Sequence, residues 1–305
     1  MWIAVAFGLF LVIQLPIAPF HGWFVDLLAL RTKNPVVAVV IVGGWPLIAT
    51  YVMLRFAMPL CPEPVEQIGA HWGGALAAWA ALYGGALALG QRSSVRRRLA
   101  YLCLGFNGVI LLGLWTLTAE GIQGSLLYVL SHGLVRALLV ALALSVSVAA
   151  GGERLGRWQA LLRWSAVVVF LGFPVSAPFS GAILCMVAGF AAFPGHTLAT
   201  LAGLSVAAYA LLSGKTRGDS IGAGGSRGAL TGIAAAILGL VLFLGFHPAP
   251  LMQVTAPAVD HITGWLPTTG YSVIRVATGD DESAPPLAPA APDSTQHPDT
   301  SGENP

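Results

Sequence analysis

Apolar residues fall in long unbroken runs, at about residues 2–18, 35–60, 68–90, 99–118, 121–150, 163–190, 195–213 and 226–247, separated by short polar stretches. A helix needs about 20 apolar residues to cross a bilayer core, and each run reaches or nearly reaches that length. The pattern predicts eight transmembrane helices. Strands of a membrane β-barrel would alternate in and out over about ten residues, and these runs do not alternate. Because backbone groups cannot bond to lipid, helix is the remaining solution. The expected fold is an all-α, polytopic membrane bundle over residues 1–250.

Two of the runs should be interrupted. Pro16 and Pro19 fall in the first, Pro174 and Pro178 in the sixth, and each proline removes a backbone donor and clashes with the preceding turn. Such breaks either line an ion or substrate path with freed carbonyls or are plain kinks satisfied by neighbouring helices; the sequence leaves both open. After the last run, residues 251–279 contain Trp265 and Tyr271 and suit an interfacial segment. Residues 280–305 are acidic and rich in Pro, Ala and Ser, with too few apolar groups to fold by burial, and read as a disordered tail.

Composition agrees with the pattern. Of 305 residues, 56% are hydrophobic and 9% charged, with mean hydropathy +0.78; roughly 25% charge is usual for soluble domains, so a water-soluble globule is excluded. A formal net charge of +2, scattered among apolar runs, gives no nucleic-acid surface. Cys61, Cys103 and Cys185 lie too far apart for a disulfide framework or a paired zinc site and read as small apolar filler. The opening Met1-Trp2-Ile3-Ala4 lacks the basic stretch of a secretory signal, so the first run is expected to be a crossing kept in the mature chain.

Charge also predicts orientation, since Lys and Arg collect in cytoplasmic loops. Arg31 and Lys33 follow the first run, Arg92 and Arg96 to Arg98 the third, Arg154, Arg157 and Arg163 the fifth, and Lys215, Arg217 and Arg227 the seventh. These are twelve of the fifteen basic residues. The intervening loops carry Glu63, Glu66 and Glu120. Both termini are therefore expected on the non-cytoplasmic side of a bacterial inner membrane.

Ionisable residues inside a crossing are candidates for function, because they cost about 2.5–3.5 kcal/mol at helix centre on insertion scales. His132 and Arg136 sit four residues apart in the fifth run, on one helix face, and should point into the bundle together. An imidazole can pass a proton near neutral pH, with Arg136 as a permanent positive charge beside it. The alternative is that Arg136 reaches the interface or lipid while His132 bonds a neighbouring helix. His21, with Trp23 and Asp26 after it, follows the first proline break and is either part of a path or a loop anchor at the membrane surface. Gln14 can bond across helices but carries no charge. His71 and Trp72 look interfacial, and His247 closes the last run. Small residues Gly73, Gly74, Gly84 and Gly85 permit close helix contact. No Gly-rich phosphate loop, intramembrane carboxylate pair or Ser-His-Asp set is present, so no cofactor, metal or self-contained catalytic site is expected.

The string Leu15-Pro16-Ile17-Ala18-Pro19-Phe20-His21-Gly22-Trp23, followed by Asp26, closely resembles a segment of the antiporter-like subunits of complex I and the related Mrp-type antiporters, nearest the M-type chain of NADH-quinone oxidoreductase. Further matching strings follow in order: Leu54-Arg55-Phe56, Arg98-Leu99-Ala100-Tyr101, Gly121-Ile122-Gln123-Gly124, Ser131-His132-Gly133-Leu134, Phe179-Ser180-Gly181 and Leu244-Gly245-Phe246-His247-Pro248. The resemblance implies a bundle like helices seven to fourteen of a fourteen-helix fold, with the first and sixth helices broken. It also implies other membrane subunits as partners, possibly including a separate chain for the first half, and a proton-translocating complex whose redox cofactors and quinone site sit elsewhere.

The titrating residues depart from that family. The position resembling the family's first channel lysine is Gln14. The second falls near Leu47, and the glutamate expected after Gly181 is Ala182. Only the histidine survives, as His132. The sequence thus describes a non-redox membrane subunit whose own channel is degenerate, with a cation/proton antiporter subunit or a purely structural membrane scaffold as the alternatives.

Overall fold

The computed structural model describes residues 2–29, 35–92, 94–146, 157–213 and 227–264. These residues form helices and no strand. In chain order they are α1 (Trp2–Gln14), α2 (Gly22–Ala29) and α3 (Pro35–Val52), which continues through a π-helical turn, Met53–Ala57, into α4 (Met58–Leu60). Then α5 (Pro62–Ile68) runs through a second π-helical turn, Gly69–Gly73, into α6 (Gly74–Gly90). The rest are α7 (Val95–Trp115), α8 (Ala119–Val146), α9 (Arg157–Phe170), α10 (Ala177–Ala192), α11 (Pro194–Ser213), α12 (Arg227–Phe246) and α13 (Ala249–Thr263).

Five stretches are long and apolar enough to cross a membrane: Val39–Leu60, Pro62–Gly90, Val95–Trp115, Ala119–Leu142 and Pro194–Ser213. A sixth is counted if α12 and α13, bent by 69° at Pro248, are taken together. The two remaining runs are those split by proline, into α1/α2 and α9/α10. The chain is an integral membrane helical bundle.

Several boundaries differ from the hydropathy reading. The third helix starts at Pro62, ahead of the apolar run, because proline at a first helical position gives up no bond and Glu63 in the first turn complements the helix dipole. Glu63 and Glu66 are therefore on a helix and not in a loop, and Glu120 lies in the first turn of α8. His71 and Trp72, expected at a helix start, occupy the second π-helical turn and are exposed. Arg163 lies within α9, and Arg96 to Arg98 within the first turns of α7. The interfacial segment begins as helix α13, with Val259 buried. Arg31, Lys33, Arg154, Lys215, Arg217, Trp265, Tyr271 and the 280–305 tail lie outside the described residues.

The core is built around α7, almost wholly buried between α6, α8, α10 and α11, while α8 also packs on α3, α9, α12 and α13. Without a hydrophobic drive between helices in lipid, close packing of small residues holds them together. At the α6/α7 crossing, a side-chain carbon on Gly84 would meet the backbone of Gly105, and Tyr101 O at 2.8 Å. At the α3/α8 crossing, one on Gly43 would meet Ala137 Cβ at 2.9 Å and Gly133 O at 3.0 Å.

Ser125 on α8 donates to Ile110 O on α7 at 3.0 Å. Interhelical bonds of this kind average about 0.6 kcal/mol in bilayers. Ser125→Ala is expected to lower stability by no more than ~1 kcal/mol in a mixed-micelle SDS unfolding titration; a loss above ~2 kcal/mol would show that this contact holds α7 and α8 together.

Candidate functional site

The breaks explain the polar geometry. In a continuous helix the Phe170 carbonyl would bond to the N–H four residues on, but that residue is Pro174, which has none. The chain leaves helical geometry after Phe170, turns at Gly172 with φ +91°, and restarts α10 from Ser176, whose hydroxyl donates to Phe173 O at 2.7 Å. Phe170 O is thereby left to accept from a side chain. His132 Nε2 donates to it at 3.2 Å across the α8/α9 contact.

Tyr128, His132 and Arg136 share one face of α8 at spacings of four. Arg136 Nε donates to His132 Nδ1 at 2.6 Å, and Arg136 Nη1 donates to Asn107 Oδ1 on α7 at 2.6 Å. Since Nδ1 accepts and Nε2 donates to a carbonyl, the imidazole is the neutral Nε2–H tautomer. Three rings clamp it: Tyr128 at 4.7 Å and Phe106 at 4.9 Å, both stacked, and Phe170 at 4.6 Å, tilted. The Tyr128 phenol lies close to the same guanidinium. His132 and Arg136 are each 1% exposed and Asn107 is fully buried. Arg136 thus does not reach the interface.

The other candidates are elsewhere. Gln14 is the last residue of α1, half-buried, at the first break. His21 sits just before α2, half-buried, its ring edge-on to Tyr83 at 5.3 Å and tilted to Tyr101 at 6.2 Å. Its Nδ1 has no hydrogen-bond partner among the described residues. Asp26, on α2, is exposed. At this break too a side chain takes up a released carbonyl: Trp23 Nε1 donates to Ile13 O at 3.3 Å. The structure therefore brings His132 and Arg136 together and holds His21 against different rings, on α6 and α7.

Residues 1–211 match the transmembrane family described as NADH:quinone oxidoreductase/Mrp antiporter. The chain belongs to that family. Subunit M of the NADH-quinone oxidoreductase of Mycobacterium tuberculosis is 27% identical over 268 residues, which is 82% of this chain and 47% of the relative. Respiratory complex I from Thermus thermophilus with bound NADH contains a chain of similar fold, with TM-score 0.73, 24% identity, and coverage of 88% of this chain and 59% of that one. The Mrp complex from Dietzia contains another, with TM-score 0.69, 19% identity, and coverage of 86% and 60%. The chain spans about half the length of the relatives it matches.

At the positions where this antiporter family is expected to titrate, Leu47 is 38% exposed and Ala182 packs against the core as an apolar residue. Asn107, Tyr128, Phe106 and Phe170 were missed in the sequence as members of the site. Asn107 carried a signal, a carboxamide inside the apolar run Leu104-Gly105-Phe106-Asn107-Gly108. Tyr128 carried another, at helical spacing from His132. Phe170 carried none, because its contribution is a backbone carbonyl.

Proposed function

We propose that this chain is an antiporter-like subunit of a proton-translocating complex of the NADH-quinone oxidoreductase type, and that its own proton channel is degenerate. The observation that carries this reading is the bonding of His132. Both ring nitrogens are committed, one to Arg136 and one to Phe170 O, so taking up a second proton requires the 2.6 Å Arg136 bond to break and sets two cations side by side. Among the described residues the buried ionised or ionisable side chains of Asp, Glu, Lys, Arg and His are Arg96, Arg98, His132 and Arg136, with no carboxylate or lysine. A relay needs groups that change protonation within the membrane and a charge partner to tune them. Gln14, Leu47 and Ala182 do not supply them.

On this reading the subunit contributes bundle structure and docking to neighbouring membrane subunits. The basic loops face the cytoplasm of a bacterial inner membrane. In liposomes with an imposed pH gradient, the purified chain is expected to give the same slow decay as empty vesicles. Rapid, saturable dissipation of the gradient would overturn the degenerate-channel reading. The likeness to the Mrp chain supports a second reading, a subunit of a cation/proton antiporter. Co-purification in mild detergent separates the two: iron-sulfur and flavin chains support the first, and small membrane chains alone support the second.

A further inference from the structure

Arg136 uses two of its three guanidinium nitrogens on neutral partners, Nε on His132 and Nη1 on Asn107. Its Nη2 has no hydrogen-bond partner among the described residues, and neither does Asn107 Nδ2. The two donors belong to one bonded pair, since Nη2 shares a carbon with Nη1, Nδ2 shares one with Oδ1, and those inner atoms are 2.6 Å apart. The guanidinium is permanently charged, and neither His132, Asn107 nor Tyr128 offers a negative charge in return.

Among the described residues no carboxylate is in reach. Glu120, on the same helix, is sixteen residues away, about 24 Å at 1.5 Å per residue. Asp260, on α13 packed against α8, is exposed, as are Asp26 and Glu63, and Glu66 lies half-buried in the second turn of α5. A buried cation surrounded by neutral groups is unfavourable unless a negative acceptor completes it. The same burial sets the size of that acceptor. Arg136 is 1% exposed within this chain alone, so a carboxylate from a neighbouring subunit would have to open the α7/α8/α9 contact to reach it. A monatomic ion enclosed by the bundle need not.

We propose that Arg136 Nη2 and Asn107 Nδ2 bind a small monovalent anion of the halide class in the bundle core. The site neutralises the guanidinium in place and keeps Arg136 on His132; it does not depend on whether the chain conducts protons.

The test uses the purified full chain in detergent, dialysed from chloride into gluconate and titrated with bromide, with bound bromide followed by its NMR line width. Wild type is expected to bind bromide saturably, with competition by chloride. Asn107→Ala removes the Nδ2 donor together with the Oδ1 acceptor of Arg136 Nη1, and is expected to weaken binding about tenfold. Arg136→Gln is expected to abolish it. Absence of saturable bromide binding by the wild type, as when water alone serves these donors, overturns the proposal. Equal affinity in Asn107→Ala and wild type also overturns it, because the ion would then lie elsewhere; this arm decides the matter even if Arg136→Gln does not fold.

Discussion

His132→Leu is expected to cost about 2–3 kcal/mol, the upper part of the range for a hydrogen bond to a charged group whose buried donor loses its acceptor. The leucine cannot accept from Arg136 Nε, so a guanidinium 1% exposed keeps only Asn107 as a side-chain hydrogen-bond partner among the described residues. It also cannot donate to Phe170 O, which Pro174 has already deprived of a helical bond. A mixed-micelle SDS unfolding titration followed by circular dichroism measures the loss. The control is the combined variant His132→Leu, Arg136→Leu, Asn107→Leu. Apolar groups of similar volume often replace a buried charged cluster at no loss, so the triple variant should recover most of the stability that the single change removes. A triple variant as unstable as the single one would mean that the polar network itself holds α7, α8 and α9 in register.

Gly84→Leu is expected to have the second large effect. A side chain there meets backbone, the Gly105 main chain and Tyr101 O, so no neighbouring rotamer can yield and α6 must move away from α7. The cost should reach or exceed the upper end of the ~1–3 kcal/mol usual for overpacking, with loss of monodisperse protein on gel filtration in detergent. The comparison position is Gly239 on α12, exposed, where an added carbon meets nothing within 4 Å. There Gly→Ala should raise stability by up to about 1 kcal/mol through helix propensity alone. Equal responses at the two positions would contradict the close α6/α7 crossing.

The two proline breaks illustrate how far local chemistry reaches. Pro16 and Pro174 mark the ends of α1 and α9 directly, because a missing N–H acts at a fixed distance along the chain, whereas Pro178 sits without penalty in the first turn of α10. The starts of helices were read less well. Hydropathy gave no credit to Pro62-Glu63, whose contribution is capping and dipole complementarity and not apolarity. The π-helical turns at Met53–Ala57 and Gly69–Gly73 left no mark in the apolar pattern, since both fall inside apolar runs.

The sequence by itself determined that this protein is a helical membrane bundle, where its chain breaks, which family's ordered strings it carries, and that His132 and Arg136 share a face. Each of these depends on composition, on the spacing of nearby residues, or on ordered strings. Tertiary structure alone decided what His132 and Arg136 bond to. The answer involves an amide on α7 and a carbonyl at the end of α9, residues 25 and 38 positions from His132, and only the packing of three helices brings such groups to 2.6 and 3.2 Å from their donors. Hydrogen bonds act over that range, and hydropathy along the chain contains no information about it.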